Sequence, residues 1–89
     1  MQFEWDETKR LTNLEKHGFD FAVATQVFDG RQAIHIPSKY PDEERFMTIA
    51  VVNDVPVAVV WTWRTQVIRL ISVRHARTKE IRMLQEFAE

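Results

Sequence analysis

The chain reads as an α+β domain with two N-terminal helices, an antiparallel meander of about four strands, and a closing helix. Three observations predict this. Apolar residues recur at helical spacing as far as Phe28, alternate between Gln32 and Arg74, and return to helical spacing after Arg77. Turn-forming residues stand where the period changes, at Gly18, Asp29-Gly30, Asn53-Asp54 and Thr65-Gln66. Segregated elements of this kind pack as helices on one sheet face, which leaves the other face open for function.

Phe3-Glu4-Trp5 is an apolar–polar–apolar start, and Asp6 then caps a helix over Glu7–His17. Asp6 and Glu7 suit the positive end of that helix, Lys16 and His17 the negative end, and Gly18 stops it. Leu11 and Leu14 are its expected buried contacts. Asp20 caps a second helix carrying Phe21, Ala24, Val27 and Phe28 on one side and ending at Asp29-Gly30. Gln32–Ile36 is a short strand closed by Pro37, followed by a polar loop over Lys39–Glu43. Arg45–Val52 is a longer strand that turns at Asn53-Asp54 into Val57–Trp63, and a second turn near Arg64-Thr65-Gln66 leads into Val67–Arg74. Arg77–Phe87 closes the chain as a helix, with Ile81, Leu84 and Phe87 or Ala88 at core spacing.

No repeat, low-complexity tract or linker divides the 89 residues, so a single domain over 1–89 is expected. Cysteine is absent, which removes disulfides and thiolate metal sites. The N-terminus lacks the pattern of a signal peptide, and the apolar run Ile49–Trp63 is broken by Asn53-Asp54 and Pro56. A cytoplasmic protein with no membrane contact is the expectation. Asp, Glu and His at metal-ligand spacing, phosphate-cradling glycine loops and nucleophile elbows are all missing, so neither metal nor cofactor is expected.

Charge is gathered rather than spread. Residues 1–54 hold ten acids and six bases, whereas Trp61–Arg82 holds six bases and the single acid Glu80. The whole chain is nevertheless balanced at −1, which argues against coating nucleic acid by net charge and for a local basic site. Guanidinium groups held on a sheet suit phosphate, because their planar forks match its oxygens.

Two sets of motifs now become informative together. Phe3-Glu4-Trp5-Asp6-Glu7-x-Lys9, Asn13-x-x-Lys16-His17-Gly18 and Phe21 resemble the opening of BrnT-type toxins. Glu43-Glu44-Arg45-Phe46, Thr62-x-Arg64 and Ile68-Arg69-x-Ile71-Ser72-x-Arg74-x-Ala76 with Glu80 resemble the rest of the same family. The chain departs from the common family form at Val73 (usually Ala), Arg77 (usually Thr) and Leu84 (often Tyr). The resemblance implies the toxin half of a bacterial type II toxin–antitoxin pair with a RelE-like fold, cleaving RNA without a metal and inhibiting translation and growth. It also implies a BrnA-like ribbon-helix-helix antitoxin as protein partner, with operator DNA bound only through the complex.

Cleaving RNA without a metal needs a base for the 2′-OH, cations for the phosphorane and a proton for the leaving 5′-oxygen. Arg64, Arg74 and Arg45 form the expected catalytic cluster, with His17 or Glu44 as acid or base. Strand alternation places Arg69 and Arg74 on opposite faces unless a bulge intervenes, so Arg69 reads as a rim contact or as an ion pair with Glu43, Glu44 or Glu80. Lys9, Lys16 and Arg77 are further candidates for RNA contacts. Each group also has a plain structural reading: His17 as a helix cap, His35 as a half-buried packing residue, His75 as exposed, and the arginines as surface ion pairs. A non-enzymatic module whose basic face binds a partner protein is the alternative function.

Overall fold

A computed structural model describes residues 1–39 and 43–88. Strand β1 (Gln2–Glu4) leads into helix α1 (Glu7–His17) and the short helix α2 (Phe21–Thr25), which tightens into a 3-10 turn over Gln26–Phe28. Then come β2 (Ala33–Lys39), β3 (Glu44–Val52), β4 (Val55–Arg64), β5 (Val67–His75) and helix α3 (Thr78–Ala88). The strands form one sheet in the order β1-β5-β4-β3-β2. Four of them make the expected antiparallel meander. The fifth, β1, was hidden in Phe3-Glu4-Trp5 because three residues are too few to display alternation. It pairs parallel to β5, Phe3 against Ile68 and Glu4 against Arg69, so the sheet is mixed.

The caps behave as their residue types require. The Asp6 carboxylate accepts from the Lys9 N–H at 3.1 Å, and Gly18, at φ 78°, donates its N–H to the Leu14 carbonyl at 2.9 Å. The Asp20 carboxylate accepts from the Ala22 N–H at 3.0 Å. Between β3 and β4, Asn53 and Asp54 both take positive φ (51° and 66°), the twist a tight hairpin needs. Pro37 does not close β2. The strand runs through it to Lys39, which is permitted because β2 is an edge strand and a missing N–H can face outward there. The expected polar loop over Lys39–Glu43 falls partly outside the described residues.

The helices do not share one face of the sheet. Phe21, Ala24 and Val27 pack on Ala50, Val52, Val57, Val59, Trp61, Ile68, Leu70 and Val73. Leu84 of α3 packs on the opposite face, against Ile49 and Ala58, with Ile34, Ile36 and Met47 beside them. Alternation makes this necessary, since Ile49 and Ala58 are flanked in sequence by residues committed to the first core. α3 covers only part of its face. Phe87, read as a core position, is 64% exposed.

α1 is also seated differently from its apolar pattern. Leu11 and Leu14 are exposed, and the buried residue is Asn13. β1 accompanies β5 only as far as Arg69, which leaves the β5 edge beyond it without a strand. Asn13 fills that role: its amide nitrogen donates to the Val73 carbonyl at 2.9 Å and its oxygen accepts from the Val73 N–H at 3.1 Å. A side chain thus replaces a strand partner, so the α1 interface is held by hydrogen bonds more than by oil.

Candidate functional site

The arginines share a face because β5 bulges. Val60 pairs with Ser72 but Trp61 pairs with Leu70, so Ile71 is an extra residue. One inserted residue reverses the alternation, bringing Arg69 and Arg74 to the same side of the sheet. Arg69 lies opposite Thr62, and Arg74 lies opposite Ala58, the residue under α3.

Across the open part of this face runs one row of cross-strand neighbours. Glu4 stands beside Arg69, Arg69 beside Thr62, and the register that pairs Phe46 with Trp61 puts Arg45 beside Thr62. The Thr62 hydroxyl donates to the Glu44 carbonyl, tying β4 to β3 at this point. Thr62 is buried, 3% exposed, between the strands that carry Arg69 and Arg45. At the usual strand spacing of about 4.8 Å, the Arg69 and Arg45 backbones stand roughly 10 Å apart across Thr62. Two guanidiniums on stems of that length can close on one anion between them. Arg64 follows two residues along β4 and is the most open of the group, its side chain 54% exposed.

Carboxylates thread through the same row. Glu4 accepts from Arg69 Nη1 at 2.6 Å. Glu43 receives Arg45 Nε at 3.0 Å on one oxygen and lies 3.5 Å from Arg64 Nη2 on the other. The ion pair expected of Arg69 therefore exists, but with Glu4 rather than Glu43, Glu44 or Glu80. Glu44 alternates with Arg45 and shares the side of Phe46, away from the arginines.

Arg74 is separated from this row by four residues of β4, about 13 Å, and from Arg64 by six, about 20 Å. Its guanidinium forks onto Glu80 with Nη1 at 2.8 Å and Nη2 at 2.9 Å, while Nη2 also lies 3.5 Å from Met47 Sδ. Glu80 simultaneously accepts from the Arg77 N–H at 2.8 Å, the reach-back of a third helical residue to its cap. The fork with Arg74 is the main cause holding the Glu80 carboxyl below the usual carboxylate range, against a burial effect in the other direction. It raises the Arg74 guanidinium correspondingly. Arg77 itself is exposed at the start of α3, beyond Arg74 and away from the Thr62 row.

His17, Lys9 and Lys16 come together elsewhere. With Thr12, Asn13 and Ser72 they line a groove of about 250 Å³ between α1 and the bulged edge of β5. Ser72 joins this groove to the open face, since it occupies the row next to Arg69 and Thr62. His35 is exposed, yet its Nδ1 lies 2.7 Å from the Thr48 hydroxyl and its ring stacks on Phe28. Phe3 and Trp5 contact Phe28 and Phe21, and Trp61 is buried, so none of them offers a free ring for stacking on a base. Trp63 is 48% exposed, on the face away from the arginines.

Sequence reading missed Glu4, Thr62, Ser72 and Asn13 as parts of this surface, and Glu43 as the partner of Arg45 and Arg64. Each lies inside a quoted motif, but only the sheet register shows which of them meet. Among the described residues no group of three Asp, Glu or His side chains is arranged to hold a metal ion.

No curated protein matches the chain. A family model described as the ribonuclease toxin BrnT of a type II toxin–antitoxin system matches residues 5–80, a span containing all of the Thr62 row but Glu4, together with the bulge, the α1 groove and the Arg74–Glu80 fork. A toxin of this class acts as a ribonuclease and is held by an antitoxin protein. The chain belongs to the BrnT family of type II toxin–antitoxin ribonuclease toxins.

Proposed function

We propose that this toxin cleaves RNA without a metal, with the scissile phosphate seated over Thr62 between Arg69 and Arg45. The observation that carries the reading is the row itself: two arginines on one face flanking a small, covered threonine. The sheet holds their backbones at a fixed spacing, so only the side chains, now on Glu4 and Glu43, need turn toward the developing charge. The nearby carboxylates point the same way, since Glu4 and Glu43 are engaged by guanidiniums rather than grouped to ligate a cation.

In this reading the 2′-oxygen attacks phosphorus and the bond to the 5′-oxygen breaks, giving a 2′,3′-cyclic phosphate and a 5′-hydroxyl. Glu43, held between Arg45 and Arg64, takes the 2′-OH proton, and His17 at the groove supplies the proton to the leaving oxygen. Arg69 and Arg45 neutralise the extra charge on the phosphorane, with Arg64 as an outer contact. Arg74 is a positioning residue: it anchors α3 through Glu80 and so fixes the wall of the open face. A BrnA-like antitoxin neutralises the toxin and brings operator DNA to the complex, and the free toxin arrests growth by cutting RNA needed for translation.

Digestion of RNA by the purified toxin in excess chelator tests the proposal. Arg69→Ala and Arg45→Ala are each expected to lower single-turnover cleavage by about a hundredfold, the scale of losing one preorganised donor. Cleavage that needs added divalent ion, or survives both substitutions, overturns it.

A further inference from the structure

The basic groove beside α1 is not needed to hold the scissile phosphate. It is lined by Lys9, Lys16 and His17 together with Thr12 and Ser72, and among the described residues no carboxylate lines it. That sets it apart from the Thr62 row, where Glu4 and Glu43 accompany the arginines. The separate groove between the β2 edge and α3 is lined mainly by apolar side chains such as Ile34, Ile36, Met83 and Phe87. Cations and hydroxyl donors without a resident acid make an oxyanion site.

Its position fixes what the anion is attached to. Ser72 pairs with Val60 and Arg69 with Thr62, so Ser72, on the groove's rim, stands one row, about 7 Å along β5, from Arg69 of the proposed phosphate seat. A single RNA strand leaving that seat meets the groove with its next phosphate. The groove also holds His17, the proposed donor to the leaving 5′-oxygen, so the nucleotide entering it is the one on the 3′ side of the cut.

We infer that the α1–β5 groove is a subsite for the phosphate 3′ to the scissile one, and that the substrate is single-stranded RNA engaged by at least two consecutive phosphates. This rests on the proposed seat over Thr62. The bulge at Ile71 links the two, since it brings Arg69 and Ser72 to one face of the sheet, and Ile71 itself lines the groove.

Binding of uncleavable 2′-O-methyl dinucleotides to the full-length toxin freed of its antitoxin tests the inference independently of catalysis. Three ligands are compared: unmodified, with a 3′-phosphate, and with a 5′-phosphate. The 3′-phosphate is expected to tighten binding about fivefold at low salt, as for an exposed multi-contact ion pair. The gain should disappear in a Lys9→Ala/Lys16→Ala variant, whose changes fall on exposed helix positions. On longer 2′-O-methyl oligomers the same variant should lose about 0.7 from its log–log salt slope, one phosphate's worth for a single strand. The inference is overturned by an equal gain from the 5′-phosphate, by a gain that survives in the lysine variant, or by no gain in the wild type. Failure of the Thr62 seat reads out differently, as Arg69→Ala toxin that still cleaves RNA.

Discussion

Glu80 is a side chain whose removal should cost this fold heavily. Its carboxylate receives both terminal nitrogens of Arg74 and the Arg77 N–H, and the ion pair is largely shielded, with side-chain exposures of 11% for Glu80 and 20% for Arg74. Glu80→Ala strands the guanidinium against Met47 and deprives α3 of its reach-back bond. Hydrogen bonds to charged groups are worth about 1.5–3 kcal/mol and a helix cap about 1 kcal/mol, so a loss of roughly 3 kcal/mol is expected after allowing for residual solvent access. For a domain of this size that lowers the melting temperature by about 15 °C at pH 7. Glu80→Gln keeps an acceptor for Arg77 and should lose less. The pH dependence has a definite sign: a carboxyl held low in the folded state contributes fully above its unfolded range, about 4.3, and its contribution is lost as pH falls through the lowered folded value. Wild type should therefore weaken below about pH 4 more steeply than Glu80→Gln. Scanning calorimetry of both variants across pH settles the matter. A Glu80→Ala protein melting within about 2 °C of wild type at pH 7 would refute the reasoning.

Two further substitutions probe the frame around the site. Asn13→Ala removes both bonds to Val73 and one to the Phe19 carbonyl, leaving backbone groups orphaned at a buried edge, and should cost about 3 kcal/mol in urea denaturation. An Asn13→Ala protein with an unchanged urea midpoint would show that the β5 edge finds another partner. Asp54→Gly, at φ 66° in the β3–β4 turn, should stabilise by about 0.5 kcal/mol because glycine takes that conformation without steric cost. A lower midpoint for Asp54→Gly would mean that the carboxylate contributes more than the turn geometry indicates.

What was legible in the chain follows the range of the interaction. Helix α1, its Asp6 cap and its Gly18 stop depend on residues a few positions apart, and they stand where local pattern puts them. The meander was readable for the same reason, since alternation and turn residues mark each strand. Strand β1 was not, because three residues gain their conformation only by pairing with a segment more than sixty positions away. The bulge at Ile71 was recognisable only as a condition for Arg69 and Arg74 to share a face. Leu11 and Leu14 misled because helical apolar spacing normally marks the buried side, whereas here a polar residue is required to complete a sheet edge. At the site, the motifs named the arginines, but the pairing of Arg69 with Glu4 and the placement of Arg45 beside Thr62 were out of reach without the register.

The cluster of positive charge seen along the chain is not a field of free cations, and this bears on how a toxin of balanced net charge can act on RNA. Glu4 holds Arg69, Glu43 lies between Arg45 and Arg64, and Glu80 holds Arg74. Among the described residues three carboxylates thus oppose four guanidiniums, and the strip carries far less net charge than its arginine count implies. A phosphodiester in its ground state, with one negative charge, must compete with carboxylates already in place. The phosphorane carries a second charge and competes better at the same donors. Interactions that strengthen only as charge develops lower the barrier without tightening substrate binding, the condition for raising turnover. Pairing each arginine with an acid therefore need not weaken catalysis. It suppresses indiscriminate adhesion to nucleic acid, whose strength grows with every phosphate neutralised, and under the proposed reading leaves discrimination to the seat over Thr62.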